Sequence, residues 1–263
     1  MLGLGVGFYK LAGNDYPGGE FVPDQIENLS LWLRFNTDVR GRDGEGQTIT
    51  SQTSPYPDGE KISQWNDQSG NNNHAAQSNS VDMPLFEADE PGAVNFAGQT
   101  KFMDLTSNIQ IDANTDFTAV VRFKCVDFST QRAFFGSATD EFFRLQTNKA
   151  FRLKIGSSNS TFAEGSATME TDTYYTAIVV RSNGSTGNVN VYVRGGAYTT
   201  ASGKDWDAAE NSTNTGQIDF NNIGSAADDD KNFNGFIKDV IIYDGTAVTA
   251  DQRELLFDYV ESQ

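Results

Sequence analysis

Apolar and polar residues alternate along much of the chain, and this pattern predicts antiparallel strands. Between Leu29 and Phe35, the leucines and Phe35 occupy every second position, and Ser30, Trp32 and Arg34 lie between them. A period of two is typical of a strand that is buried on one face only. Further strands are predicted at 93–96, 102–105, 117–125, 133–135, 142–145, 150–155, 174–180 and 189–193. Short Asn, Asp, Gly and Ser turns separate them, which favours an all-β fold with two antiparallel sheets, a β-sandwich or jelly roll.

One helix is predicted at the C-terminal end. Thr249 can cap it with its hydroxyl while Gln252, three residues later, reaches back to the cap. Leu255, Leu256 and Tyr259 then fall on one apolar face. We expect this short amphipathic helix to cover one end of the sandwich.

The first 27 residues differ from the rest. They are rich in glycine, and Pro17 and Pro23 interrupt any regular element. We therefore divide the chain into an N-terminal attachment arm, 1–27, and a sandwich domain, 28–263. A single domain of this length is consistent with the 19 phenylalanines of the 263-residue chain, which can fill a two-sheet core.

Composition narrows the classes of partner. The 36 acidic and 19 basic residues give a formal net charge of −17, which repels phosphate backbones and anionic bilayers. No apolar run approaches the about 20 residues that a membrane span requires. The N-terminal segment lacks the basic and long apolar regions of a secretion signal. The single Cys125 excludes an intramolecular disulfide and is expected to be a buried thiol of a protein made in a reducing cytoplasm.

Two segments resemble a known family. Residues 174–196 give a strand, a Ser-Asn-Gly-Ser turn and a second strand, and residues 222–244 give Asn-Ile-Gly followed by a long apolar strand. This order resembles the C-terminal half of a laminin-G or concanavalin-A-like jelly roll. Residues 62–75, with Trp65, Asp67 and His74, resemble the polar turn near the start of the same domains. The resemblance covers about 29–260 and implies a lectin-like sandwich.

Catalytic chemistry is not evident in the sequence. The resemblance to glucanases of this superfamily implies a strand with carboxylates at alternate positions, because the acid and the nucleophile must share one sheet face. The chain contains no such strand. The acidic runs 87–90 and 228–230 fall in turns, where solvated loops are expected. His74 is the only histidine and belongs to the polar turn. We predict a protein that is not an enzyme.

Calcium is the one cofactor that the sequence suggests. Residues 230–235 match the opening of an EF-hand loop, but Ile241 occupies the position that needs a bidentate carboxylate. The laminin-G resemblance implies calcium on a rim loop. The candidate ligands are Asp67, Asn71, Asp230 and Asn232.

Aromatic residues on loops are the candidates for contact with a glycan. Their rings can stack on the faces of sugar rings. The residues in question are Tyr56, Trp206 and Phe220.

A strongly acidic, disulfide-free sandwich with a glycine-rich arm is similar to virion proteins of tailed bacteriophages, which are assembled in the host cytoplasm. This resemblance implies a structural protein on the virion surface, held as a homo-oligomer on capsid or tail proteins. The expected anchors are Phe8, Tyr9, Tyr16 and Phe21. The alternative is an adhesin that binds a host surface glycan, with or without calcium. A divergent jelly-roll glycoside hydrolase is a remote third hypothesis.

Overall fold

A computed structural model describes most of the sandwich domain. The described residues are 20–34, 39–42, 48–49, 59–87, 90, 92–98, 100–137, 141–156, 158–162, 169–182, 186–196, 206–226 and 232–263. Four predicted site residues lie outside them: Phe8, Tyr9, Tyr16 and Tyr56. The candidate ligand Asp230 also lies outside them.

Strands dominate the described residues, and one α-helix follows them. The strands are β1 (Leu29–Arg34), β2 (Val39–Arg42), β3 (Thr48–Ile49), β4 (Lys61–Trp65), β5 (Ala75–Ala76), β6 (Leu85–Phe86), β7 (Val94–Asn95), β8 (Met103–Ile111), β9 (Phe117–Cys125), β10 (Arg132–Gly136), β11 (Phe142–Leu145), β12 (Phe151–Ile155), β13 (Ser158–Phe162), β14 (Tyr174–Ser182), β15 (Asn188–Arg194), β16 (Trp206–Thr213), β17 (Ile218–Ile223) and β18 (Gly235–Asp244). The helix is α1 (Ala250–Glu261), and a 3₁₀ turn spans Pro23–Gln25. The predicted bounds of β9 and β11 are confirmed.

The strands form two antiparallel layers. One layer has the order β16-β15-β14-β9-β18-β1. The other runs β13-β12-β11-β10-β17-β8-β5-β4-β2. β6 and β7 join the two layers, because β6 pairs with β4 and β7 pairs with β18. The predicted jelly-roll sandwich is therefore confirmed.

The main core fills the space between the layers. Phe123 of β9 contacts Phe134 of β10, with ring centroids 4.5 Å apart, and Phe151 of β12 at 6.3 Å. All three side chains are fully buried. Large rings that meet edge to face or tilted contribute stabilisation beyond the area they bury.

A second, smaller core lies on the outer face of the first layer, under α1. Trp32 of β1, Ile178 of β14 and Ile241 of β18 point away from the main core and pack against Leu256 and Tyr259 of the helix. Two predictions are thereby corrected. β1 is buried on both faces, and α1 covers the face of a sheet and not an end of the sandwich, because the outer positions of these strands are apolar as well.

The arm boundary predicted at residue 27 is also corrected. Phe21 packs edge-on against Tyr259 with ring centroids 6.1 Å apart, and Ile26 is 2% exposed. The Tyr243 hydroxyl donates to the Pro23 carbonyl oxygen at 2.9 Å. Residues 21–27 are therefore part of the sandwich, and Phe21, predicted to anchor the arm to a particle, contacts the domain's own helix.

Candidate functional site

An open polar groove of about 570 Å³ lies at the rim of the sandwich. It forms where β1 begins, β18 ends and β8 passes beside the turn that follows β4. We call it the rim groove. Its lining residues are Asn28, Leu29, Ser30, Asn71, Asn73, Asn108, Ile109, Gln110 and Asp244. Amide side chains therefore dominate its wall.

Three of these amides are held in place through their nitrogen atoms. Asn71 Nδ2 donates to the Leu29 carbonyl oxygen at 2.8 Å, and Asn73 Nδ2 donates to that of Ser30 at 3.0 Å. Asn28 Nδ2 donates to Thr246 Oγ1 at 3.0 Å. With each nitrogen engaged, the amide oxygens remain as fixed acceptors, and fixing them in advance lowers the entropy cost of binding.

Three other lining residues offer groups with unused hydrogen-bonding capacity. The side chains of Asn108, Gln110 and Asp244 make no hydrogen bond within the described part of the chain. Burial raises the pKa of Asp244, and nearby Asp112 raises it further against the opposing charge of Arg181. The groove thus combines amide donors, amide acceptors and one carboxylate.

Asp67 organises the turn behind the groove. Its Oδ1 accepts from the backbone N–H groups of Trp32 and Ser69, both at 2.9 Å. Its Oδ2 accepts from the Ser69 hydroxyl at 2.7 Å and from the Asn73 N–H at 3.0 Å. Both oxygens of this predicted calcium ligand are therefore occupied by donors from the protein itself.

Of the other candidate ligands, Asp230 lies outside the described residues, and Asn71 and Asn232 make contacts of their own. Asn71 is turned to the Leu29 carbonyl. Asn232 is 4% exposed, and its backbone carbonyl oxygen accepts from the guanidinium of Arg132 on β10. Among the described residues, no group of three or more His, Cys, Asp or Glu could hold a metal ion.

His74 supports the same turn. Its Nδ1 accepts from the Asp67 N–H at 3.1 Å, and its carbonyl oxygen accepts from the N–H and hydroxyl of Thr106 at 2.8 and 2.9 Å. The residue links the turn to β8, and this agrees with its predicted place in a structural turn.

The glycan-contact prediction for Phe220 is wrong. This residue lies in β17 and is fully buried, with its ring 4.8 Å from that of Phe135 in an edge-on contact. Ile218 and Phe220 alternate with Asp219, and the alternation marks a strand whose apolar face meets the core. Trp206 belongs to strand β16 and not to a loop.

Sequence reasoning missed a pair of neighbouring carboxyl groups on the second layer. Glu141 is 9% exposed and accepts from the backbone N–H groups of Asp219 at 2.6 Å and Gly156 at 3.3 Å. Burial raises the pKa of Glu141, and the two hydrogen bonds oppose that rise. Each Glu141 oxygen thus holds a strand end in place. The two acids are 78 residues apart in sequence, so no local pattern points to them.

The fold and the groove define a lectin-like β-sandwich. The Laminin_G_3 family model, described as the concanavalin A-like lectin/glucanases superfamily, matches residues 97–252. The chain belongs to this superfamily. No curated protein sequence shows significant similarity to it. No helix among the described residues is long and apolar enough to cross a membrane.

Solved structures with the same fold include glycoside hydrolases. A Trypanosoma rangeli sialidase in complex with sialic acid shares 13% identity with a TM-score of 0.50, over 89% of this chain and 34% of the sialidase. A GH54 α-L-arabinofuranosidase soaked with a cyclic sulfate inhibitor shares 12% identity with a TM-score of 0.55, over 88% of this chain and 62% of that one. An arabinofuranosidase complexed with arabinofuranosyl-α-1,2-xylobiose shares 11% identity with a TM-score of 0.54, again over 88% of this chain and 62% of that one. This chain thus spans less than two thirds of each, and the likeness shows the fold alone.

Proposed function

We propose that the protein is a non-enzymatic glycan-binding module and that the rim groove takes a neutral, hydroxyl-rich sugar unit. The observation that carries the proposal is one groove lined by three amides fixed through their Nδ2 atoms and by the side chains of Asn108, Gln110 and Asp244, which make no hydrogen bond within the described residues. Sugar hydroxyls both donate and accept, so they match a wall that offers both functions. The superfamily contains lectins, and this supports the same proposal by analogy.

A glycan array followed by calorimetry tests this function. We expect saturable binding of a neutral oligosaccharide that Asn108→Ala and Gln110→Ala together weaken by about tenfold or more, since each loses a hydrogen bond worth about 1 kcal/mol. Asn190→Ala is the matched control, because this half-buried residue lies on β15 and does not line the groove. Binding should persist in a calcium chelator, since Asp67 is already saturated by donors. Equal affinities of the groove and control variants would refute the assignment.

Display on a virion is a separate proposal, and it rests on the composition of the N-terminal arm and its resemblance to bacteriophage proteins. Phe21 and Ile26 pack into the second core, so a deletion that tests the arm as an anchor must end before them. Removal of residues 1–19 is expected to leave the melting temperature unchanged and to abolish co-sedimentation with capsid or tail particles. Removal of residues 1–27 would also cut into the second core. Retained co-sedimentation of the 1–19 deletion would count against the arm as the anchor.

A further inference from the structure

The outer face of the first layer has two unlike halves. One half is apolar and lies under α1. On the other half, register places Tyr174 beside Lys124, and Lys124 beside Phe236, in a row across β14, β9 and β18. The adjacent row runs from Thr176 through Arg122 and Asp239 to Arg34 of β1.

A bulge in β18 concentrates charge on this half. Ile237 pairs with Phe123, and Asp239 pairs with Arg122, so Lys238 is the extra residue between them. Ile237 and Val240 both belong to the main core. The bulge therefore directs Lys238 and Asp239 to the outer face together, whereas a regular strand would place only one of them there.

Three cations surround one aromatic ring. Lys238 Nζ lies 4.7 Å from the centroid of the Tyr174 ring, Lys124 Nζ 5.4 Å and the guanidinium carbon of Arg122 5.5 Å. Lys124 Nζ also lies 4.4 Å from the centroid of Phe236. We call Arg122, Lys124, Lys238, Tyr174 and Phe236 the cationic face. Such crowding of like charges is unfavourable unless negative charge offsets it.

Nearby carboxylates offset only part of this charge. Glu90 pairs with Lys124 and accepts from the Tyr174 hydroxyl at 3.0 Å, and Glu261 lies 3.7 Å from Arg122. Lys238 has no carboxylate partner among the described residues. Asp239 is 1% exposed, and neither of its oxygens has a hydrogen-bond donor in the described part of the chain. Burial lowers the pKa of Lys238, and Arg122 and Lys124 lower it further, partly against Asp239 and Glu90.

We propose that the cationic face is a second binding site and that it takes the carboxylate of an acidic sugar. Lys238 and Arg122 would pair with the carboxylate, while the half-buried ring of Phe236 offers an apolar surface for the C–H groups of the sugar. The net charge of the chain limits how many negative charges the ligand can carry. A net charge of −17 repels an extended polyanion. A single carboxylate interacts mainly with charges within about 8 Å, because salt screens the more distant ones. This proposal does not depend on the rim groove.

Titration of the whole chain, labelled with ¹⁵N, with D-glucuronate tests the site. We expect the backbone signals of Arg122, Lys124 and Lys238 to shift with D-glucuronate and not with D-glucose. Inorganic sulfate distinguishes a sugar site from a general anion site. If sulfate binds as tightly as glucuronate, the acidic-sugar assignment is overturned, and if neither shifts these signals, the cationic face is not a binding site.

Two variants with opposite effects sharpen the test. Lys238→Gln is expected to weaken glucuronate binding by about tenfold through loss of a charge-assisted contact. Glu90→Gln releases Lys124 and is expected to strengthen it. Lys154→Gln on β12, in the other layer, is the matched control for net charge. Thermal melts establish that each variant is folded. A folded Lys238→Gln protein with unchanged affinity for glucuronate would contradict the proposal. Binding of a neutral sugar in the rim groove is measured separately, so the two proposals can fail independently.

Discussion

The two faces of the sheet that contains β9 and β18 follow different rules. Its inner face is mainly apolar, with Phe123, Val240 and Ile242 in the main core. Its outer face is apolar under α1 and carries several charged residues beyond the helix. The inner face has one function, which is to hold the sandwich together. The outer face divides its area between holding the helix and presenting cations, so we expect substitutions among the cations to cost less stability than substitutions on the inner face.

The largest effect is expected on the inner face. Phe123→Ala removes a ring that contacts four other aromatic residues and should lower the free energy of unfolding by about 3–5 kcal/mol. Urea unfolding measures it. A loss below about 1 kcal/mol would mean that the two faces do not differ in the way described here.

The next effect depends on pH and comes from the boundary between the halves of the outer face. Burial raises the pKa of Asp239 from 3.8 to about 7, against the opposing charges of Arg34, Arg122 and Lys238. Two residues of α1 belong to the same cluster of charges: Tyr259 interacts electrostatically with Asp239, and the Glu261 carboxylate lies 3.7 Å from the Arg122 guanidinium. The folded state then binds a proton more tightly than the unfolded chain. The free energy of unfolding should therefore fall as pH rises from about 4 to 7, by an amount on the order of 2–4 kcal/mol.

Asp239→Asn isolates this contribution from those of other acids. Relative to the unmodified chain, the variant should gain stability as pH rises through the same interval, because asparagine does not ionise. Urea midpoints at pH 5 and pH 8 supply the measurement. Parallel pH profiles for the two proteins would show that Asp239 is not a destabilising charge at neutral pH.

A smaller effect is expected at the start of α1. Thr249 Oγ1 accepts from the Gln252 N–H at 3.3 Å, and Gln252 Oε1 accepts from the Thr249 N–H at 2.9 Å. Thr249→Ala should cost about 1 kcal/mol, since it removes half of this capping box. Thermal unfolding monitored by circular dichroism would detect the change. Thr106→Ala, at an exposed site on β8, serves as a comparison for the loss of a threonine hydroxyl outside a cap.

The smallest effect on stability is expected at the cationic face. Lys238→Gln should alter the free energy of unfolding by less than about 0.5 kcal/mol, because Lys238 forms no ion pair among the described residues and the repulsion from Arg122 and Lys124 opposes the attraction of Asp239 and Glu90. Urea unfolding measures this value alongside that of Phe123→Ala. A cost above about 2 kcal/mol would place Lys238 with the residues that hold the fold.

Local patterns predict those parts of the fold that depend on local spacing. Apolar runs between polar turns give the bounds of β9 and β11, and the Thr249-Gln252 pair gives the start of α1. The same patterns do not predict that β1 is buried on both faces. That outcome depends on where the helix docks, and Trp32 occupies a position that alternation alone assigns to solvent.

The sites were not predictable from local patterns, because distant segments form them. The rim groove combines residues near 28, 72, 109 and 244. The cationic face depends on the register of three strands and on one bulge, and neither is visible as a motif. Glu90 shows the same limit. In sequence it belongs to an acidic run expected to be solvated, yet it pairs with Lys124 of β9.

The position of β18 in the chain constrains how the protein is made. This strand pairs with β9, β1 and β7, yet it is the last of the described strands along the chain. Until the ribosome has released that segment, β1 and β9 present open edges that can pair with other chains. The sandwich must therefore close after nearly all of it has been synthesised, and interrupted translation would yield aggregation-prone fragments rather than smaller folded domains.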